Sequence, residues 1–205
     1  MRPIGYAVLI STLGLAACGG TKGAVPAIGA DDMTLGSASA PVEVIEYASA
    51  ACSHCAEFDR DLFGPFKAKY IDTGQVHYAL RELITPPDAY AAGGFLLARC
   101  AGKDKYFGVL EAVFRAQQTM FQTNDMRGPL LQVAQSAGMT EQQFAQCVSD
   151  DNGVEALNKR VAKNVADSKG QGTPIFYING KQPFPNGVPK MEDLDKAIAA
   201  AKTAK

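Results

Sequence analysis

The sequence predicts an α/β fold in which a strand-helix-strand half and a hairpin-helix half flank a long helical insertion. Three observations predict it. An apolar run from Val42 to Tyr47 leads almost at once into helix-forming sequence, Ala56 to Leu62. From Asp88 to about Lys169 nearly every segment repeats its apolar residues at helical spacing. Strand sequence then resumes at Pro174-Ile175-Phe176-Tyr177-Ile178 and meets Asn179-Gly180, a strong hairpin turn.

At the N-terminus, Met1 to Cys18 carries one early positive charge, a short apolar stretch and small residues before a cysteine, the pattern of a secretory signal and not of a spanning helix. Leu15-Ala16-Ala17-Cys18 looks like the lipobox of a bacterial lipoprotein, with residues 1–17 as signal peptide and Cys18 lipidated at the start of the mature chain. The competing reading is an ordinary signal peptide with an incidental cysteine. Residues 18–32 are rich in Gly and Ala, without apolar periodicity, and are expected to form a flexible tether. No later segment is long and apolar enough to span a bilayer, so the anchor is expected to be the chain's membrane contact. Gly19 stands where inner-membrane retention in enteric bacteria calls for aspartate, which leaves the outer membrane open.

The first half of the fold is expected over 33–86. It holds a buried strand at Pro41 to Tyr47, a helix from the cysteines towards Tyr70 with a break at Gly64-Pro65, and a strand from Gln75 to Leu83. Pro86-Pro87 ends that strand. The insertion occupies 87–169, with Phe95 to Cys100, Tyr106, Leu110, Val113 and Phe114, Leu130 to Ala134, Phe144 to Val148, and Val154, Leu157, Val161 and Val165 on its apolar faces. The second half, 170–205, is expected to contain the Pro174 to Ile178 strand, a short return arm at Gln182 to Phe184, and a closing helix from Met191 to Ala201 that turns Met191, Leu194 and Ile198 inward.

Five cysteines are an odd count for an exported chain. Lipidation of Cys18 leaves four, and Cys52 pairs naturally with Cys55. Cys100 and Cys147 remain, both on the apolar faces of expected helices, and a structural disulfide between them would contribute about 4 kcal/mol through loop entropy. Two reduced cysteines that merely pack are the alternative.

Cys52-Ser53-His54-Cys55 lies where a strand turns into a helix. A helix N-terminus offers unpaired N–H groups and a partial positive charge, which favour thiolate over thiol. Cys52, at the mouth of the turn, is the expected nucleophile. Cys55 lies one turn deeper as the shielded partner that resolves a mixed disulfide. A cationic His54 would lower the Cys52 pKa further; a solvated surface histidine is the alternative. The same Cys-x-x-Cys spacing also serves metal sites, so the rest of the chain must decide.

Taken in order, the strand ending in Ile45-Glu46-Tyr47, Cys52-x-His54-Cys55, the helical insertion, and Gly172-Thr173-Pro174 opening a strand that ends in Asn179-Gly180 resemble the DsbA-like thiol-disulfide oxidoreductases of the thioredoxin superfamily. The resemblance runs from about Thr34 to the C-terminus. It implies a thioredoxin fold with a helical domain inserted between its βαβ and ββα halves, and a monomeric enzyme without cofactor or metal. It implies that Pro174 is cis and that the backbone before it receives a substrate strand facing the dicysteine. It also implies that Glu46 accepts or relays the proton of Cys55, with a pKa raised by burial; by spacing alone Glu46 is equally a carboxylate at a strand edge. Ser53 departs from the proline common in the family, which puts the redox potential in doubt. Thr173 is shared with reductase and isomerase branches and pulls against the oxidase direction suggested by His54.

The expected function is therefore exchange of a Cys52–Cys55 disulfide with cysteines of exported proteins at the periplasmic face of the envelope, most simply as an oxidase, with reductase or isomerase as the alternative. The implied partner is a membrane redox protein of the DsbB or DsbD type. A net charge of −1 gives no electrostatic footprint for nucleic acid. Two readings from other classes compete. One is metal binding by Cys52, Cys55 and either His54 or His77, which needs soft ligands to converge. The other is an inert scaffold on which the insertion binds a partner passively.

Overall fold

The computed structural model describes residues 25–184 and 187–204. The signal peptide expected over 1–17 and the lipidation expected at Cys18 lie outside the described residues. Four strands form one sheet: β1 (Met33–Leu35), β2 (Val42–Ala48), β3 (Val76–Glu82) and β4 (Ile175–Ile178), in the order β1-β3-β2-β4. β2 runs parallel to β3 and antiparallel to β4, while β1 lies antiparallel on the outer edge of β3. Both faces of β2 are covered, which is why it reads as a near-continuous apolar run. Val42, Val44 and Ala48 face the main core, and Glu46 shares their parity. Ile45 and Tyr47 face a second cluster with Val25, Ala79, Leu83, Ile175 and Tyr177.

That second face accounts for one correction. The part of the expected 18–32 tether that is described packs against the sheet: Val25 is buried, Arg81 donates to the Ala27 carbonyl at 3.0 Å, and the same guanidinium holds the Asp32 carboxylate through Nε at 3.0 Å and Nη2 at 2.8 Å. A sheet face carrying Tyr47 and Tyr177 needs a cover. One ion pair and two apolar contacts, from Val25 and Ile28, fasten it without any periodic signal. β1 was likewise absent from the sequence reading, since three residues are too few to show alternation.

The helix after β2 is not broken at Gly64-Pro65. Helical backbone runs over 53–71, with α1 (Ser53–Phe58) and α2 (Gly64–Phe66) joined to π-helical turns at Asp59–Phe63 and Lys67–Ile71. Pro65 stands just after the first π-helical turn, whose altered bonding pattern accommodates its missing N–H, and the backbone stays helical through it. The insertion consists of α3 (Asp88–Cys100), α4 (Tyr106–Thr123), α5 (Arg127–Ser136), α6 (Glu141–Ser149) and α7 (Asp151–Asp167). α3 is apolar on nearly every side and forms its centre. A disulfide joins Cys100 at the end of α3 to Cys147 on α6, with a Cα–Cα distance of 6.0 Å. Val165, expected inward on α7, is 45% exposed; Leu157 and Asn164 hold the buried line instead, and Asn164 donates to the Glu82 carbonyl at 2.9 Å.

After β4, Asn179 and Gly180 both take positive φ, as the hairpin turn requires. The return arm expected at 182–184 forms no strand: pairing stops after the single bridge Ile178 to Lys181, and Pro183 has no N–H to extend it. α8 (Met191–Thr203) then buries Leu194 and Ile198 against the main core, with Met191 half-buried beside them.

Candidate functional site

The end of β2 delivers Ser49, Ala50 and Ala51 as a buried turn, and Cys52 caps α1. Its backbone is extended (φ −81°, ψ 121°), which frees the side chain to turn back on the helix start. Cys52 Sγ accepts from the Cys55 N–H at 3.3 Å and, as a thiol, donates to the Thr173 carbonyl at 3.3 Å. Cys52 is part-exposed and Cys55 fully buried, the asymmetry that exchange chemistry needs. Both peptide bonds Thr173-Pro174 and Pro86-Pro87 are cis. The first sets the Thr173 carbonyl opposite Cys52 across 121 residues of sequence.

The two sulfurs differ in acidity for identifiable reasons. A hydrogen bond from the Cys55 thiol, opposed by burial and aided by Thr173 and the N–H groups of Cys55 and His54, brings Cys52 down to about 6 from an ordinary 9. Burial, followed by the neighbouring Cys52 and Glu46, pushes Cys55 well above that value. His54 thus acts on Cys52 through its main chain. Its imidazole is 66% exposed and lies 3.2 Å from Glu57 Oε2.

Glu46 is 2% exposed and belongs to the core face. The only hydrogen-bond partner of its carboxyl among the described residues is the Tyr78 hydroxyl, which donates to Oε2 at 2.5 Å. Burial pushes its pKa up to about 8, with the Tyr78 bond opposing and the charges of Asp59 and Cys52 adding. Glu46 and Tyr78 share a narrow pocket with Asp59 and Glu111 between the site helix and α4. Burial, then Glu111, against Arg115, raises Asp59 to about 7.

A family model described as Thioredoxin matches residues 29–200. The solved structure of Wolbachia pipientis alpha-DsbA1 superposes with a TM-score of 0.75 at 26% identity, over 87% of this chain and 94% of that one. The chain is a DsbA-like member of the thioredoxin superfamily. BdbD from Bacillus subtilis, at 19% identity and a TM-score of 0.70, shares the fold. Among curated proteins, one from Rickettsia bellii named "Putative protein-disulfide oxidoreductase" is 33% identical over 174 residues, which is 84% of this chain and 66% of that protein. This DsbA-like chain spans 56–66% of the length of the first three curated relatives it matches.

The structure brings Cys52, Cys55, Thr173, Pro174 and Glu46 to one end of the sheet. It does not bring His77 there. His77 sits on β3 in register with Glu43, near the start of β2 and roughly 15 Å of strand from the end that leads to Cys52. Cys100 and Cys147 are consumed by their own bond. Among the described residues, no group of three or more His, Cys, Asp or Glu side chains is placed to hold a metal ion. Three side chains at the site of this DsbA-like protein had no place in the sequence reading: Tyr78, Asp59 and Gln117. Gln117, from α4, is buried and donates through Nε2 to the Ala50 carbonyl at 2.7 Å and the Cys52 carbonyl at 3.2 Å.

Proposed function

We propose that the chain is an envelope thiol-disulfide oxidoreductase that exchanges a Cys52–Cys55 disulfide with cysteines of exported proteins and works as an oxidase. The observation that carries this is the split between the sulfurs: a part-exposed Cys52 favoured as thiolate beside a buried Cys55 that is not. In the oxidising direction a substrate thiolate attacks Cys52 Sγ, the Cys52–Cys55 bond breaks, and the pair of electrons leaves on Cys55. The buried Cys55 thiolate takes a proton from the Glu46 carboxyl. A second substrate thiolate then attacks the substrate sulfur of the mixed disulfide and expels Cys52 as thiolate. With a pKa of about 6, Cys52 is about nine-tenths ionised at pH 7, so it is a good leaving group and its reduced form is stabilised. The backbone before Pro174 would offer a substrate strand its pairing groups. A membrane partner of the DsbB type would remove the electrons, and a lipid on Cys18 would hold the protein to the envelope. The names of the curated relatives support the reaction class.

Equilibration of the full-length chain in glutathione buffers tests the direction. A reduction potential near the oxidising end, roughly −120 mV, is expected; one near −270 mV would replace the oxidase with a reductase, the reading that Thr173 favours. Absence of a reversible two-thiol transition would remove the reaction altogether.

A further inference from the structure

We propose that Gln117 is a positioning residue through which the helical insertion sets the electron affinity of the Cys52–Cys55 pair. The inference deepens the oxidoreductase reading and rests on it. Gln117 occupies a core position of α4, in line with Leu110, Val113, Phe114 and Met120, where an apolar side chain would be the ordinary choice. Burial of an amide costs free energy unless it is bonded, and this one places its donor on the two carbonyls that bracket the active-site turn, Ala50 and Cys52. The Cys52 carbonyl also accepts the Ala56 N–H at 3.1 Å, the first bond of α1. One side chain of the insertion therefore holds the turn and the first helical bond together.

The effect on redox chemistry follows from charge. The NH2 group is the positive end of the amide dipole, and it is aimed at the turn that carries the Cys52 sulfur. A dipole so placed stabilises a thiolate and does little for a neutral disulfide, and a buried setting strengthens it. The other groups acting on that sulfur are Cys55, the His54 and Cys55 N–H groups and Thr173, with Glu46 and Asp59 beneath. None of them lies on α4. Loss of the Gln117 donor should penalise the reduced protein more than the oxidised one and make the disulfide less oxidising.

The test compares Gln117→Met, which keeps volume and removes the donor, with Gln118→Met on the exposed side of the same helix. Gln117→Met is expected to shift the glutathione equilibrium constant about tenfold towards protein disulfide, about 30 mV for a two-electron couple, and to raise the midpoint of the Cys52 thiolate absorbance titration. Gln118→Met should leave both unchanged. A purely structural role lowers the stability of the oxidised and reduced proteins equally, so an equilibrium constant within twofold of the parent's would overturn the proposal. Should Gln117→Met not fold, Gln117→Glu takes its place. Its protonated carboxyl can still donate, whereas the ionised form faces two carbonyl oxygens, so its deviation from the parent must grow with pH; a constant deviation overturns the proposal. If the parent shows no reversible two-thiol transition, the oxidoreductase reading fails, and the thiolate titration alone decides the role of Gln117.

Discussion

Among the described residues Glu46 has no cation to compensate its charge, only the Tyr78 hydroxyl, and this determines how stability depends on pH. Its folded pKa of about 8 lies above the ordinary 4.5. Well below pH 4.5 the carboxyl is protonated in both the folded and the unfolded chain, and the raised pKa carries no penalty. As pH rises from 4.5 to 8 the unfolded carboxyl ionises freely while the folded one does not, and stability is lost across that window. Glu46→Gln should therefore stabilise the oxidised protein by about 1–3 kcal/mol at pH 7, with a gain that vanishes near pH 4. The same substitution should slow turnover, because Cys55 loses its proton partner. Thermal unfolding of both proteins between pH 4 and 8 checks the first part; a gain that does not change with pH would mean that Glu46 ionises normally. Cys52 has the opposite sign. Its depressed pKa supports the reduced form fully above pH 9, and that support is lost as pH falls through about 6. Oxidising strength, measured against an ordinary dithiol, should weaken over the same interval.

At the level of elements, α3 and α4 meet the active-site turn through a glycine. A Cβ at Gly94 would stand 2.8 Å from Val113 Cγ1 and 3.1 Å from Ala50 Cβ, and neither neighbour is a flexible side-chain tip. Gly94→Ala should cost about 1–3 kcal/mol by overpacking. It should also move the turn that bears Cys52, so a denaturant midpoint and a Cys52 thiolate titration both unchanged from the parent would show that the turn has slack. Much of this architecture was legible in the chain. β2, β3 and β4 announce themselves by apolar runs, the insertion by helical spacing, and the thiol site by two short motifs that no packing argument was needed to find. Long-range register was not legible. Tyr78 reaches Glu46 only because β3 pairs in parallel with β2, setting Tyr78 opposite Val44 and Leu80 opposite Glu46. Two signals for the remaining site residues lie in the chain: Asp59 follows Cys55 by four residues, hence one helical turn on the same side, and Gln117 interrupts an apolar stripe. The cover supplied by 25–32 left no such trace, because one ion pair with Arg81 and two isolated apolar contacts, from Val25 and Ile28, make no periodic pattern.

At the scale of the whole molecule, the two halves of the thioredoxin fold must hold an inserted helical domain in fixed register with the thiol site, and Glu82 is the joint. It ends β3, is 1% exposed, and receives Arg99 Nε of α3 at 2.5 Å and Arg160 Nε of α7 at 2.6 Å. One carboxylate thus bridges guanidinium groups from the first and last helices of the insertion. Such a triad carries a large desolvation cost, repaid only while all its members are present. Glu82→Gln should leave two part-buried guanidinium groups without their shared counterion and cost about 3–5 kcal/mol in denaturant unfolding. Replacing Glu82, Arg99 and Arg160 together by apolar residues of similar volume should recover most of that loss, since the desolvation cost goes with the charges. A triple variant no more stable than Glu82→Gln would show that the triad contributes net stability instead of fixing geometry. The redox measurement separates these roles further. If the triad fixes the insertion over the site, the apolar triple variant should fold well yet show a displaced glutathione equilibrium, because the Gln117 bonds to Ala50 and Cys52 depend on where α4 sits.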